Sequence, residues 1–473
     1  MQVIQPASEN ILKILGEPRI SDSSCRLIRY AVSADADEGV LLFNTLTGEL
    51  LLLTREEYSR ADTLPALREK WFAAPKSLPE KTYADRVKFV LKATAKRPEH
   101  ITGYTVFTTT DCNARCFYCY EAGCPRIPMS EETAHRTAEY ISKKCGGERV
   151  SLSWFGGEPL YNKTAIDIIC ADLTERGIDY RSDMVSNGYL FDDETVKRAS
   201  ALWKLKKAQI TLDGTEDVYN RVKAYIYRDG NSPYQIVMRN IGNLLDSGIA
   251  VSVRLNIDGH NADDLMRLAD ELGERFGGRK GISAYSHVLF EFSGPAERVR
   301  EAETRKRIYQ RQKALRDRLT EYGLYRTGGL PHSLPVTHCS ADSGSALTVL
   351  PDGRLGLCEN YIEDHFVGSV YGDATDADAR KRFCETRAPS EACADCFYYP
   401  QCIRLALCRE EKECFPEQRE DRLQSLVLSM RAVYAAWLEK RAPEEAEPSP
   451  ACERNGTRAR PDPYRASQGK EER

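Results

Sequence analysis

The stretch that decides the fold is Asp111-Cys112-Asn113-Ala114-Arg115-Cys116-Phe117-Tyr118-Cys119-Tyr120, called the cysteine loop below. Its cysteines have the spacing C-x-x-x-C-x-x-C and follow a strand-like segment, residues 104–110. Three thiolates on one short loop can bind three irons of a [4Fe–4S] cube. The fourth iron has no ligand nearby in the sequence, and an open position on a metal centre is where a substrate or cosubstrate binds. A structural zinc site and three unrelated thiols are the alternatives.

This spacing resembles the cluster loop of the radical S-adenosylmethionine (radical SAM) enzymes. In that family the free iron chelates the amino and carboxylate groups of the methionine part of SAM. An electron from the cluster then cleaves SAM to methionine and a 5′-deoxyadenosyl radical. The resemblance implies that Cys112, Cys116 and Cys119 hold a SAM-binding [4Fe–4S] cluster. It also makes Tyr118 a candidate for stacking on the adenine, with ordinary loop packing as the alternative.

The composition favours metal ligands over disulfides. The chain has 473 residues, which suggests about two to four domains, and 16 cysteines. Residues 1–10 are polar, and no run of about 18 apolar residues is present. Clustered cysteines in a reducing compartment indicate metal binding. The net charge of −4 is small for a dedicated nucleic-acid binder. We therefore predict a cytoplasmic protein with no nucleic-acid or membrane partner.

Residues 96–328 alternate between strand and helix patterns. The predicted strands are 102–110, 149–155, 180–186, 207–213, 250–257 and 284–292, and amphipathic helical stretches such as 130–144 and 262–276 lie between them. Six strand–helix units in order predict an α/β fold with a parallel sheet. Six units rather than eight suggest a partial (β/α)6 barrel, the fold that the radical SAM resemblance implies. In such barrels the reacting residues lie at the carboxyl ends of the strands.

Residues 1–95 are predicted to form a small α+β region. The apolar runs 39–44 and 48–53 predict a hairpin, and Thr54 with Glu57 predicts a helix start. This pattern is similar to winged-helix peptide-recognition domains of ribosomal-peptide maturases. The alternative is an extension that packs on the barrel. If the region recognises a peptide leader, the hairpin edge near residues 41–43 or 50–53 would take it up as an added strand.

The second strand ends in Trp154-Phe155-Gly156-Gly157-Glu158-Pro159. Two glycines let the backbone approach a ligand closely, and Glu158 can accept a hydrogen bond from an ammonium group. The run matches the family's GGEP motif, which contacts the SAM amino group. Gly156, Gly157, Glu158 and Pro159 are therefore cofactor-binding candidates, although a plain turn has the same composition.

Three further strand ends carry polar motifs. The third ends in Ser186-Asn187-Gly188, similar to the family's Thr-Asn-Gly, the fourth ends in Thr211-Leu212-Asp213-Gly214, and the fifth carries Arg254-Leu255-Asn256. Each alone is an ordinary strand end. By resemblance, Thr211, Arg254 and Asn256 are candidates for the SAM carboxylate and ribose. Ser186, Asn187 and Asp213 complete the set of cofactor-binding candidates.

Residues 329–437 hold a second group of cysteines. Cys339 precedes Gly353-x4-Cys358, and the run Cys393-x2-Cys396-x5-Cys402-x5-Cys408-x5-Cys414 follows. This resembles the SPASM domain, which holds auxiliary [4Fe–4S] clusters. The family pattern has three residues where this chain has five between Cys402 and Cys408, which makes the role of Cys408 less certain.

By resemblance the cysteines form two sets. The first cysteine set comprises Cys339, Cys358 and Cys408, and the second cysteine set comprises Cys393, Cys396, Cys402 and Cys414. The first set has no evident fourth ligand, since Cys384 does not fit the spacing. An open iron that binds a substrate thiolate is one interpretation. The alternative for the region is a zinc-ribbon-like knot of Cys393, Cys396, Cys402 and Cys408.

The remaining segments carry no predicted chemistry. Residues 438–473, which include Cys452, are predicted to be disordered because they contain few apolar groups. Cys25, Cys124, Cys145 and Cys170 show no ligand spacing, and we expect them to be buried thiols.

The resemblance implies a peptide-modifying enzyme with SAM and three [4Fe–4S] clusters. Our first hypothesis is a thioether cross-link in a precursor peptide, with reduced flavodoxin or ferredoxin as electron donor. Formylglycine formation, as in anaerobic sulfatase maturases, is an alternative, with Glu359 as a catalytic base where those enzymes have Asp. Carbon–carbon cross-linking and epimerisation are further alternatives. A non-catalytic iron–sulfur protein is the alternative from another class, although such a protein needs no SAM pocket.

Overall fold

The computed structural model describes residues 1–17, 24–227, 230–289, 302–409 and 414–441. The strands are β1 (Gln2–Gln5), β2 (Cys25–Leu27), β3 (Ala31–Ala36), β4 (Gly39–Asn44), β5 (Leu50–Leu53), β6 (Ala73–Pro75), β7 (Gly103–Thr109), β8 (Val150–Gly156), β9 (Tyr180–Ser186), β10 (Leu205–Leu212), β11 (Ala250–Ile257), β12 (Ile282–Val288), β13 (Ala346–Val349), β14 (Arg354–Gly356) and β15 (Gly368–Ser369).

The helices are α1 (Glu9–Leu15), α2 (Arg55–Ser59), α3 (Pro65–Glu69), α4 (Glu80–Thr94), α5 (Glu131–Lys144), α6 (Lys163–Glu175), α7 (Asp193–Ala201), α8 (Glu216–Lys223), α9 (Pro233–Asp246), α10 (Ala262–Phe276), α11 (Ala302–Glu321), α12 (Ser340–Ser343), α13 (Ala377–Phe383) and α14 (Pro416–Glu439). Short 3-10 turns cover Pro159–Asn162, Glu391–Cys393 and Tyr399–Gln401. No described helix has the length and apolar composition that crossing a membrane requires.

The central sheet has nine strands in the order β12-β11-β10-β9-β8-β7-β13-β14-β15. Strands β7 to β12 are parallel neighbours in chain order. The six predicted strands and the α/β class are confirmed, with ends shifted by a few residues; residues 290–292 of the sixth prediction lie outside the described part. Strand β13 adds to β7 in parallel, and β14 and β15 follow antiparallel. The cysteine-rich region thus extends the barrel sheet, which the sequence did not predict.

The two faces of the sheet differ in polarity. Trp154 and Leu152 of β8 are buried with Ile166 and Ile169 of α6 in the main apolar core. The alternate residues face the other way, because successive side chains of a strand point to opposite sides. Ser153 pairs in register with Asp183, and Asp183 pairs with Lys207. This second face is therefore polar and partly open to solvent.

The N-terminal region forms a separate antiparallel sheet in the order β1-β5-β4-β3. The predicted hairpin is confirmed, since Val40 pairs with Leu53. The predicted helix start is confirmed as well, because Thr54 and Glu57 form a reciprocal capping box. The expected exposed edge is wrong: β4 and β5 are inner strands, each flanked on both sides and fully buried. The edge strands of this four-stranded sheet, to which another strand could add, are β1 and β3.

The apolar residues of this N-terminal region pack against the C-terminal part of the chain. Leu41 and Phe43 share a buried cluster with Leu426 and Met430 of α14. A second cluster joins the N-terminal residues around Trp71 to Tyr399, with Cys393 and Cys396 packed against it. The region therefore supports the cysteine-rich segment. Helix α14 continues to Glu439, and residues 442–473 of the predicted disordered tail lie outside the described residues.

Candidate active site

The cysteine loop begins where β7 ends, at the carboxyl edge of the sheet. The backbone N–H of Asp111 donates to Thr109 Oγ1 (3.0 Å), and the N–H of Arg115 donates to the Lys223 carbonyl (2.8 Å). The N–H of Ala114 donates to Cys112 Sγ at 3.3 Å. Backbone contacts therefore define the conformation of the loop.

The three thiols of the loop fit a metal cluster. Burial, with smaller contributions from neighbouring acidic groups and thiols, raises the pKa of Cys112 to about 12 and that of Cys119 to about 11. Free thiolates are thus disfavoured here, whereas bound iron would stabilise them. Among the described residues no group of His, Cys, Asp or Glu converges on a single ion position. The ligands of a [4Fe–4S] cube lie farther apart than those of a single ion, because each cysteine sulfur binds a different iron.

Gly156 and Gly157 join the end of β8 to the cysteine loop. A Cβ on Gly156 would lie 2.1 Å from the Thr109 carbonyl oxygen, and one on Gly157 would lie 2.4 Å from that of Asp111. The N–H of Gly157 donates to Thr109 O (3.1 Å) and that of Glu158 to Asp111 O (3.0 Å). The sequence suggested that these glycines allow a close approach to a ligand. In the structure they allow a close approach to the backbone of the cysteine loop. Contact of these glycines and Pro159 with SAM stays a prediction.

The substitution Gly157→Ala is expected to displace the cysteine loop. The added methyl group meets rigid backbone at 2.4 Å, so we expect about 1–3 kcal/mol less stability and lower iron content after reconstitution. Gly242→Ala is the matched control, because a methyl group at this position inside α9 would meet nothing within 4 Å. Denaturant unfolding and iron analysis of both variants check these effects. Equal iron content in the two variants would contradict the expected displacement of the loop.

Glu158 is fully buried and holds the end of the third strand. Its carboxylate accepts hydrogen bonds from Leu160 N (3.1 Å), Ser186 Oγ (2.9 Å) and Asn187 N (2.8 Å). Burial raises its pKa to about 7, although these donors oppose the shift. Asn187 in turn donates to Asn113 Oδ1 at 2.7 Å. Glu158, Ser186 and Asn187 therefore form one support beneath the cysteine loop, and their contacts with SAM stay predictions.

A buried ion pair links the loop to α8. Lys223 Nζ lies 3.1 Å from Asp213 Oδ2, with side chains only 4% and 1% exposed. Tyr118 donates its hydroxyl to Asp213 (2.9 Å), and Lys223 donates to that hydroxyl (3.0 Å). Burial alone lowers the pKa of Lys223, but attraction to Asp213 and Tyr118 holds it well above its usual value. Sequence reasoning missed Lys223, because one lysine on a polar helix resembles a solvated one.

The same network reaches the next strands. Asn256 donates to Asp213 Oδ1 (3.1 Å), and Arg254 donates to Asn256 Oδ1 (3.0 Å). Thr211 lies beside Arg254 in the β10–β11 register. Four of the predicted cofactor-binding residues, Tyr118, Asp213, Arg254 and Asn256, are thus connected by hydrogen bonds, as expected for polar side chains at one edge of a parallel sheet. Stacking of Tyr118 on adenine stays a prediction.

His287 on β12 is a second residue that sequence reasoning missed. It pairs in register with Asn256. Burial and the nearby Arg254 lower its pKa to about 3. The histidine is therefore neutral beside the arginine at physiological pH.

The lowered pKa of His287 predicts acid sensitivity. The unfolded chain binds a proton on this histidine below about pH 6.5, whereas the folded chain binds it only near pH 3. Stability is then lost as the pH falls through this window, by about 2 kcal/mol between pH 7 and pH 5. In His287→Gln this part of the slope should disappear. Urea unfolding of both proteins at several pH values measures this slope, and identical slopes would contradict a half-buried histidine that stays neutral in the folded chain.

The second cysteine set lines a cavity of about 490 Å³. Its four thiols all contribute to the walls, as do Lys88 and Lys92 of α4. Lys88 donates to the carbonyl oxygens of Cys402 (2.6 Å) and Tyr399 (3.1 Å). Four arginines, Arg387, Arg404, Arg419 and Arg422, also line the cavity. A concave site with four thiols and surrounding cations fits an anionic iron–thiolate cluster.

The first cysteine set lies apart from that cavity. Burial, with smaller contributions from the charges of Glu359, Cys339 and Cys408, raises the pKa of Cys358 to about 12. The three thiols are thus near enough for their charges to interact, and Glu359 directly follows Cys358 in the chain. The sulfur of Cys384 faces the Ala341 carbonyl instead (3.7 Å). Cys408 groups with Cys339 and Cys358, which differs from the zinc-ribbon-like alternative.

Tyr120 connects the cysteine loop with the first cysteine set. Its hydroxyl donates to the Glu359 carbonyl (3.3 Å). Burial raises its pKa well above its usual value, and Glu121, Glu359, Cys119 and Cys358 add to the shift. One half-buried tyrosine is therefore close to thiols of the cysteine loop and of the first cysteine set. Of the other cysteines, Cys25, Cys145 and Cys170 are buried as expected, whereas Cys124 is half-buried.

Comparisons with known proteins agree with this geometry. Residues 106–272 match the family model of the Radical SAM superfamily. The chain is 26% identical over 168 residues to the Fe-coproporphyrin III synthase of Methanosarcina barkeri, a match that covers 35% of this chain and 39% of that protein. It is 25% identical over 227 residues to a probable GTP 3′,8-cyclase of Archaeoglobus fulgidus, which covers 44% of this chain and 70% of that protein.

The solved structure of native anSMEcpe with bound AdoMet is also similar. Its TM-score is 0.53 at 12% identity, and the match covers 71% of this chain and 99% of that chain. The chain therefore contains a radical SAM domain, and the predicted radical SAM α/β fold with a cysteine-rich C-terminal part is confirmed. This family implies SAM and one [4Fe–4S] cluster, which the donors of the cysteine loop fit.

Proposed function

We propose that the protein is a radical SAM enzyme of the SPASM type that forms a thioether cross-link in a ribosomally made peptide. The observation that carries the proposal is the proximity of the cysteine loop and the first cysteine set. Tyr120 follows the last thiol of the cysteine loop and contacts Glu359, which follows Cys358. A substrate bound between them would meet the SAM site on one side and a sulfur-binding site on the other.

Bound SAM and its cluster would supply the radical that abstracts a hydrogen atom from a substrate carbon. The residues of this chain position the substrate and exclude water. The hydrogen-bonded network of Tyr118, Asp213, Asn256 and Arg254 orders the edge of the sheet at which the cofactor would lie. The polar second face of the sheet, around Ser153 and Asp183, provides hydrogen-bonding groups for a peptide backbone, and Ser153 already donates to Asp183 at 2.6 Å.

A sulfur-containing substrate is favoured by the three-thiol composition of the first cysteine set. The fold of anSMEcpe has been solved with AdoMet and a Cp18Cys peptide, so the same architecture accommodates both in that protein. Formylglycine formation is the second candidate, because Glu359 directly follows Cys358 and its charge also acts on the Cys339 thiol. The electron donor we propose is a reduced flavodoxin or ferredoxin.

The substitution Cys393→Ala separates SAM cleavage from peptide modification. The cavity that holds Cys393 is distinct from the cysteine loop, so we expect much of the deoxyadenosine release to remain while the peptide product is lost. The assay uses dithionite, SAM and a short cysteine-containing candidate precursor peptide. A thioether removes two hydrogen atoms from the peptide, whereas formylglycine formation from cysteine removes the sulfur. Normal product formation by the variant would contradict an essential role for the second cysteine set.

A further inference from the structure

Three short segments converge at the first cysteine set. Tyr361 donates its hydroxyl to the Leu407 carbonyl, and Arg409 donates to the Asn360 carbonyl at 2.7 Å. The Arg409 guanidinium also lies 4.0 Å from the centre of the Tyr361 ring. These contacts join the turn after Cys358 to the segment that carries Cys408. The positions of these two thiols are therefore defined by the fold.

The third segment brings His338 together with Cys339. The Asp342 carboxylate accepts hydrogen bonds from the backbone N–H of His338 (2.9 Å) and of Cys339 (3.0 Å). One carboxylate thus orients two adjacent residues, and both of them lie near Cys408. His338 Nε2 lies 3.9 Å from Cys408 Sγ, and the Cys339 thiol is close enough to Cys408 for their charges to interact.

We propose that His338 is the fourth protein ligand of a cluster held by the first cysteine set; this inference rests on the proposed function. Imidazole replaces thiolate on iron in some iron–sulfur centres and raises the reduction potential. Cys384 is a weaker candidate, because its sulfur faces Ala341 and the charges around it come from Asp342, Arg380 and Lys92. The resting cluster is then fully ligated by protein, and a substrate thiol must displace the imidazole to bind.

Pulsed electron paramagnetic resonance of the reconstituted full-length chain tests this assignment. The protein is labelled with 15N-histidine and reduced with dithionite. We expect a strong 15N hyperfine coupling in the parent chain, its loss in His338→Ala and its retention in His332→Ala. His332 lies six residues earlier and is exposed, which makes it a matched control. His338→Cys provides a second variant that should keep the iron content of the parent, lose the nitrogen coupling and lower the reduction potential.

Absence of a strong 15N coupling in the parent chain would overturn the assignment, as would a strong coupling that survives in His338→Ala. A weak coupling alone would mean that His338 only donates a hydrogen bond to the Cys408 sulfur, which also overturns it. The proposed function fails separately, through absence of deoxyadenosine or of a modified peptide in the same preparation. The two failures are therefore distinguishable.

Discussion

Replacing Cys112, Cys116 and Cys119 together by Ala should remove about four irons per chain and abolish SAM cleavage. The three thiols share one loop whose backbone is anchored at Thr109 and Lys223. The fold itself should survive, because the loop lies outside the main apolar core. Iron analysis, deoxyadenosine release and circular dichroism of anaerobically reconstituted protein measure the three effects.

Cys124→Ala is the matched control for this variant. Cys124 lies five residues after Cys119 and is half-buried like the loop cysteines, so it should keep the full iron content. The parent chain should hold about twelve irons if all three clusters form. Four irons or fewer in the parent chain would contradict the three-cluster proposal. Zinc in place of iron would contradict the cluster assignment altogether.

Lys223→Met should destabilise the protein by about 3–5 kcal/mol, the usual cost of breaking a buried ion pair by removing one partner. The substitution leaves the Asp213 carboxylate almost fully buried without its cation. It also removes the donor to the Tyr118 hydroxyl and so loosens the cysteine loop. The free energy of unfolding in urea gives the loss of stability, and iron content reports on the loop.

Two comparisons isolate the ion pair. Lys143→Met removes an exposed lysine that pairs with Glu139 at 2.9 Å and should cause no measurable change in stability. The double variant Lys223→Met/Asp213→Asn should be more stable than Lys223→Met alone, because the unpaired charge is gone. Equal stability of Lys223→Met and the parent chain would show that the pair makes no net contribution.

The barrel strands could be predicted because six strand-like segments of seven or eight residues alternate with amphipathic helices. The added strands β13 to β15 could not, since they have only four, three and two residues. Such short segments carry no measurable periodicity. The inner position of β4 and β5 was also beyond sequence reasoning, because β1 pairs with β5 from the far end of the N-terminal region.

Candidate site residues could be predicted where they belong to a sequence motif. They were missed where their partners come from distant elements of the fold. The loop cysteines have a recognisable spacing, whereas Lys223 and His287 are single residues whose role depends on burial beside Asp213 and Arg254. The hydrogen bonds that Ser186 and Asn187 donate to Glu158 could not be predicted either, because both donors lie on the next strand end. Tertiary contacts of this kind have no local signal in the sequence.

Reductive cleavage of SAM tests the central claim most directly. Anaerobically reconstituted protein is mixed with SAM and dithionite, and deoxyadenosine is quantified by chromatography. We expect deoxyadenosine from the parent chain and from Cys124→Ala, and none from the variant lacking Cys112, Cys116 and Cys119. A cluster-replete parent chain that releases no deoxyadenosine, with or without its peptide, would contradict radical SAM chemistry in this protein.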